Sequence, residues 1–137
     1  MKRFRGERGV AAVEFALVLP VLLMLVLGIV EFGRAYHIQT SLSLAAREGV
    51  RSMALTNNVA TAKATARAAA STVAVTDGQI DILLSDGTSS TPTTCAVVAT
   101  AATPTVHVTI TYPMPYITRF FGTSVTLKGR AAMRCNG

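Results

Sequence analysis

The feature that most constrains this chain is the run from Val10 to Val30, 21 residues carrying a single charge, Glu14. At the rise of an α-helix the run is roughly 31 Å long, about the thickness of the hydrocarbon core of a bilayer. Within it, Leu22-Leu23-Met24-Leu25-Val26-Leu27 has no polar group at all, and Glu31 marks its acidic edge. Lys2, Arg3, Arg5 and Arg8 precede the run, against Glu7 alone, whereas the next basic residues after it are Arg34 and Arg47. Positive charge stays on the cytoplasmic side, so the N-terminus is expected inside and everything past residue 31 across the membrane. Pro20 cannot donate a backbone hydrogen bond and is expected to bend the helix.

Glu14 needs a reason. A carboxylate this far into an apolar helix costs something like 2 to 3 kcal/mol, less near the interface. It could snorkel to the headgroups, or the apolar core could start at Phe15, which would leave a run of 16 uncharged residues, slightly short of a span. A cleaved secretory signal would need a small-x-small site after the core, and Gly28 to Tyr36 reads GIVEFGRAY. An uncut signal anchor remains open but gives Glu14 no role.

The arrangement of a basic leader, Gly9, an acid five residues later and a continuing apolar helix resembles the processing signal of type IV prepilins. The resemblance implies cleavage after Gly9 by a prepilin peptidase, with Val10 as the new N-terminus and Glu14 as its fifth residue. The new α-amino group could then neutralise a buried glutamate of a neighbouring subunit, offsetting its burial and fixing register. Residues 8 to 54 more broadly resemble the TadE-like minor pseudopilins of tight-adherence pili. Ala12-Val13-Glu14-Phe15-Ala16, Pro20 with its Leu-rich sequel, Phe32-Gly33-Arg34 and Ala45-Ala46-Arg47-Glu48-Gly49 carry that likeness. It implies an assembly or adhesion role in a pilus or secretion machine. The implied partners are the major pilin, a sister minor pseudopilin, the inner-membrane platform with its ATPase, and the lipid bilayer.

Beyond the membrane the helix is expected to continue, because Ile38, Leu42, Ala45, Gly49 and Met53 fall on one helical face. Ala45 and Gly49 are a small-residue pair that lets another backbone approach, from its own domain, from a neighbouring subunit, or from both. Asn57-Asn58 is a break and cap site, and residues 58 to 74 read as an Ala-rich helix ending before a turn at Asp77-Gly78. Alternation then predicts strands at Ile80–Leu84, Val106–Tyr112 and Val125–Met133, with a further one around Ala96 to Thr100. Pro113-Met114-Pro115 is read as a strand terminator, Tyr116 to Gly122 as a connection with Phe120-Phe121, and Ser85 to Thr94 as a loop. The expected fold class is α+β: a leader (1–9), a transmembrane helix (10–31), its extracytoplasmic extension (32–56), and a head (57–137) with a second helix and a three- to four-stranded antiparallel sheet.

Cys95 and Cys135 both lie past the membrane segment, on the oxidising side, and share strand parity with apolar neighbours. A disulfide would contribute roughly 3 to 4 kcal/mol to so small a head; a pair of buried reduced thiols is the alternative. His37 and His107 have no second ligand at motif spacing, and no nucleotide-binding or nucleophile-elbow motif occurs. No metal, cofactor or enzymatic activity is expected. The sequence pI near 10 is high, but it owes much to the leader. Removing residues 1–9 leaves nine basic against six acidic residues, a net charge of +3, with no aromatic-interleaved patch, so no nucleic-acid partner is expected. A competing reading is an uncleaved, signal-anchored module whose Thr-rich sheet binds a ligand or surface.

Overall fold

The computed structural model describes residues 6–85, 90–91, 95, 104–119 and 122–135. Outside them lie the expected strand at Ala96–Thr100, Phe120-Phe121, and most of the Ser85–Thr94 loop. The chain divides into two units, Met1–Arg34 and Ala35–Gly137.

One helix, α1 (Gly6–Thr56), serves both expected helical segments without a break, and Pro20 lies inside it. In the first unit every residue from Val10 to Leu27 is exposed. An 18-residue window of this helix reaches a mean hydropathy of 2.7 with none of it buried. A helix that is apolar all round, uncovered and this long is consistent with a single-pass membrane anchor. Glu31, which the sequence presents as the polar edge of the run, is buried.

In the second unit α1 changes character. Ile38, Leu42, Ala45, Ala46, Val50 and Met53 are buried, whereas Arg47, Glu48 and Arg51 are exposed, so a stripe of period near 3.6 faces the core. The helix stops at Asn57, whose φ of +50° is left-handed and whose N–H donates to the Met53 carbonyl (2.9 Å). Asparagine tolerates that conformation, and this geometry satisfies one of the last helical carbonyls. Asn58 then caps α2 (Val59–Ala69), its side chain accepting from the Thr61 N–H at 3.1 Å. Helix α2 is shorter than expected: it ends at Ala70, before the β-branched residues Thr72, Val73, Val75 and Thr76, which lose rotamer freedom in a helix. Arg67 pairs with Asp77 at 3.0 Å and Lys63 donates to the Asp77 carbonyl, tying α2 to the turn that leads into the sheet.

The sheet is antiparallel with order β2-β1-β3-β4, built from β1 (Ile80–Ser85), β2 (Ser90–Thr91), β3 (Thr105–Pro115) and β4 (Ser124–Arg134). Three of its strands match the alternation in the sequence. The exception is the end of β3, which runs through Pro113 and Pro115 instead of stopping at them. The register explains why. Strand β1 begins opposite Ile110, so from Thr111 onward β3 has a neighbour only on its β4 side, with Pro113 opposite Thr126. A proline fits a strand where its missing N–H faces an open edge.

Even-numbered residues of β1 and β3 (Ile80, Ile82, Leu84, Val106, Val108, Ile110, Met114) and odd-numbered residues of β4 form the inner face. They share one core with α1 and α2, including Ala62, Ala66 and Val75. Two glycines set close approaches, Gly129 between α1 and the sheet and Gly49 chiefly between α1 and α2. A Cβ on Gly129 of β4 would sit 2.3 Å from the Leu42 carbonyl carbon and oxygen, and one on Gly49 would sit 2.9 Å from the Ala66 Cβ. Backbone cannot move aside as a side chain can. Gly129→Ala should therefore destabilise the full chain in detergent by about 3 kcal/mol or more. Gly49→Ala should cost only about 1 kcal/mol, because helix propensity offsets part of the clash. Thermal melts followed by circular dichroism test the order; equal shifts would contradict it.

Candidate processing and assembly site

The residues singled out from the sequence fall into two separate groups. In the first unit, Gly9, Val10, Val13, Glu14 and Leu17 line one shallow groove along α1. Val10 and Glu14 are one turn apart, about 6 Å along the axis. Glu14 is exposed on a surface otherwise formed by Val10, Val13 and Leu17, all more than 60% exposed. A carboxylate on such a surface is placed for a partner outside the chain or for the bilayer interface. Nothing lies within 4 Å of a Cβ built on Gly9. The Gly9–Val10 peptide lies near the start of the described part of α1, and a glycine there weakens the helix locally. Pro20 lies well past this groove, two turns or so along the helix from Glu14.

In the second unit the structure uses Ala45 and Gly49 internally. Ala45 is fully buried in the core, and Gly49 seats α2 and β3, lying against Ala66, the Ala62 carbonyl and Val108. Cys95 and Cys135 form a disulfide with a Cα–Cα distance of 5.5 Å, and both are buried. The Cys135 N–H donates to the Pro104 carbonyl at 2.9 Å, and the Cys95 N–H donates to the Asn57 side-chain oxygen. The bridge thus joins the end of β4 and the approach to β3 to the corner between α1 and α2. Among the described residues, no group of three or more His, Cys, Asp or Glu could hold a metal ion.

Two residues matter more than the sequence suggested. Asn57 reads as a helix break, yet its side chain is also the acceptor that fixes Cys95. Gly129 reads as an unremarkable member of an alternating strand, although a glycine inside a strand is itself a sign of close backbone approach.

Removing the disulfide with Cys95→Ser and Cys135→Ser should cost about 3 to 4 kcal/mol in the chain-entropy account. Asn57→Gly keeps the left-handed backbone and deletes only the acceptor, so it should cost about 1 kcal/mol. Urea titrations of the full chain in detergent measure both. A loss for Asn57→Gly as large as that for the cysteine pair would show that the corner, not the bridge, holds the head together.

Compared with known proteins, the chain matches no curated protein and no solved structure. A family model does match, and it covers Gly9, Glu14, Pro20, Ala45 and Gly49 while leaving α2 and the sheet outside. Residues 9–51, about a third of the chain, match the family described as TadE-like protein.

Proposed function

We propose that the protein is a minor pseudopilin of a tight-adherence pilus or its secretion machine, a structural and assembly component without enzymatic activity. It inserts with its N-terminus in the cytoplasm and its head outside, in the inner membrane. A prepilin peptidase cuts it after Gly9. The observation that carries this reading is the placement of Gly9, Val10 and Glu14 on one side of an uncovered apolar helix, at the start of the segment that matches the TadE-like family.

The chemistry follows from that placement. Cutting on the cytoplasmic side removes the basic leader but leaves the membrane helix on the protein. The α-amino group released at Val10 is a cation at the edge of an apolar helix, and Glu14 is an anion one turn away. A neighbouring subunit's amine and this carboxylate neutralise each other as helices pack, which makes burial of both tolerable and sets axial stagger. The major pilin, a sister pseudopilin and the membrane platform with its ATPase are the partners this reading requires.

Intact mass and N-terminal sequencing of the protein from native membranes test it. The expected chain starts at Val10. A start at Met1 would remove the role given to Glu14 and favour an uncut anchored module, and a start beyond residue 30 would mean ordinary secretion. Gly9→Val should accumulate uncut chain. Glu14→Gln should leave cleavage intact while lowering recovery in assembled pili or platform complexes.

A further inference from the structure

The face of the sheet turned away from the helices has a composition that neither packing nor the membrane anchor uses. Odd-numbered residues of β1 and β3 and even-numbered residues of β4 point to this side. Along β4 they are Thr126, Lys128, Arg130, Ala132 and Arg134, all exposed. The register sets Thr111 beside Lys128, Thr109 beside Arg130, and exposed His107 beside Ala132. The one acid on the described part of this face, Asp81, sits opposite Thr109 on the far side from Arg130, two strand spacings or about 10 Å away. No ion pair joins Lys128, Arg130 or Arg134 to a carboxylate among the described residues. Three cations therefore lie along one side of β4, Lys128 and Arg130 about 7 Å apart and Arg134 about 20 Å from Lys128, beside the threonines Thr105, Thr109 and Thr111 of β3.

We propose that this face binds an acidic polysaccharide, an extended chain bearing carboxylates, laid along β4. The charge is linear, which suits an extended polyanion. The hydroxyls of Thr109 and Thr111 beside it can donate to and accept from sugar hydroxyls. The only aromatic ring on the described part of this face is the imidazole of His107, so it has no row of Phe, Tyr or Trp platforms for stacking successive nucleobases. Its only large apolar side chain is Leu83 of β1, 41% exposed, which is too little to insert into a lipid surface. Basic residues on an open edge also discourage sheet-to-sheet association. That role needs charge of either sign on the edge and no hydroxyl row beside it. The inference is independent of processing after Gly9.

The test uses the full-length chain in nanodiscs of neutral phosphatidylcholine, with immobilised alginate, a linear polyuronate, as the probe and neutral dextran as its control. Binding to alginate but not dextran is expected, weakening with salt at a slope of about −2 in log K against log salt for three neutralised charges at about −0.7 each. The variant K128Q/R130Q/R134Q should lose about tenfold or more, since each lost contact removes counterion release. The control R47Q/R51Q/R119Q, which removes the same charge from exposed positions elsewhere, should stay within about twofold. The charge-conserving K128R/R130K/R134K should retain binding, which separates loss of charge from loss of fold. Equal losses in the two glutamine variants would overturn the proposal, as would no retention on alginate. Binding of phosphatidylglycerol vesicles without binding of alginate would also overturn it and assign the face to lipid headgroups.

Discussion

The head rests on the close approach of α1 to β4, where Leu42 backbone meets Gly129. With no Cβ at that point, the helix lies nearer the sheet than ordinary side chains would permit. That proximity brings Gln39 within reach of the Lys128 carbonyl, 2.6 Å away, so the helix also satisfies a backbone acceptor of the strand on which it sits. One turn or two further along, Gly49 does the same for α2, seating Ala66 and Ala62 against the helix. Much of the core is alanine, valine and isoleucine rather than large aromatic residues. Small side chains bury little area each, so the layers gain stability by lying close.

A head built this way has little surplus stability, and the covalent and polar fastenings sit where they help most. The Cys95–Cys135 bridge closes a 40-residue separation and ends β4. The acceptors of its two backbone N–H groups, the Asn57 side chain and the Pro104 carbonyl, lie at the helix corner and just before β3. The bridge therefore restrains the ends of elements whose middles are already held by packing and by the β3–β4 ladder. At the other end of α2, the contacts of Arg67 and Lys63 with Asp77 are exposed, and their contribution is correspondingly small.

Much of the architecture was legible in the sequence because its signals are periodic. The apolar run gave the first part of α1, the 3.6-residue stripe through Ile38, Leu42, Ala45, Gly49 and Met53 gave the head half of α1, and alternation gave β1, β3 and β4. Local chemistry misled where the outcome depended on neighbours. Pro113 and Pro115 are ordinary strand terminators unless the strand they occupy has lost its partner on one side, and only the register of β1 decides that. Similarly, α2 stops earlier than its apolar stripe suggests, because Val73 and Val75 reach the core without helical geometry.

What the sequence determined by itself is the division of labour along the chain: an N-terminal helix suited to a bilayer, a TadE-like segment with Gly9 and Glu14 at its start, and a small α+β head. The helix and the head follow from composition and spacing, which are properties of single segments, and the TadE-like segment from its family resemblance. Only the tertiary structure decided that Gly49 seats α2 and β3, that Gly129 admits a helix backbone, that Asn57 holds Cys95, and that Lys128, Arg130 and Arg134 share a face with Thr109 and Thr111. Each of these pairs residues far apart in the chain. Which backbones approach, and in what register, depends on all the packed elements at once, and no local pattern encodes it.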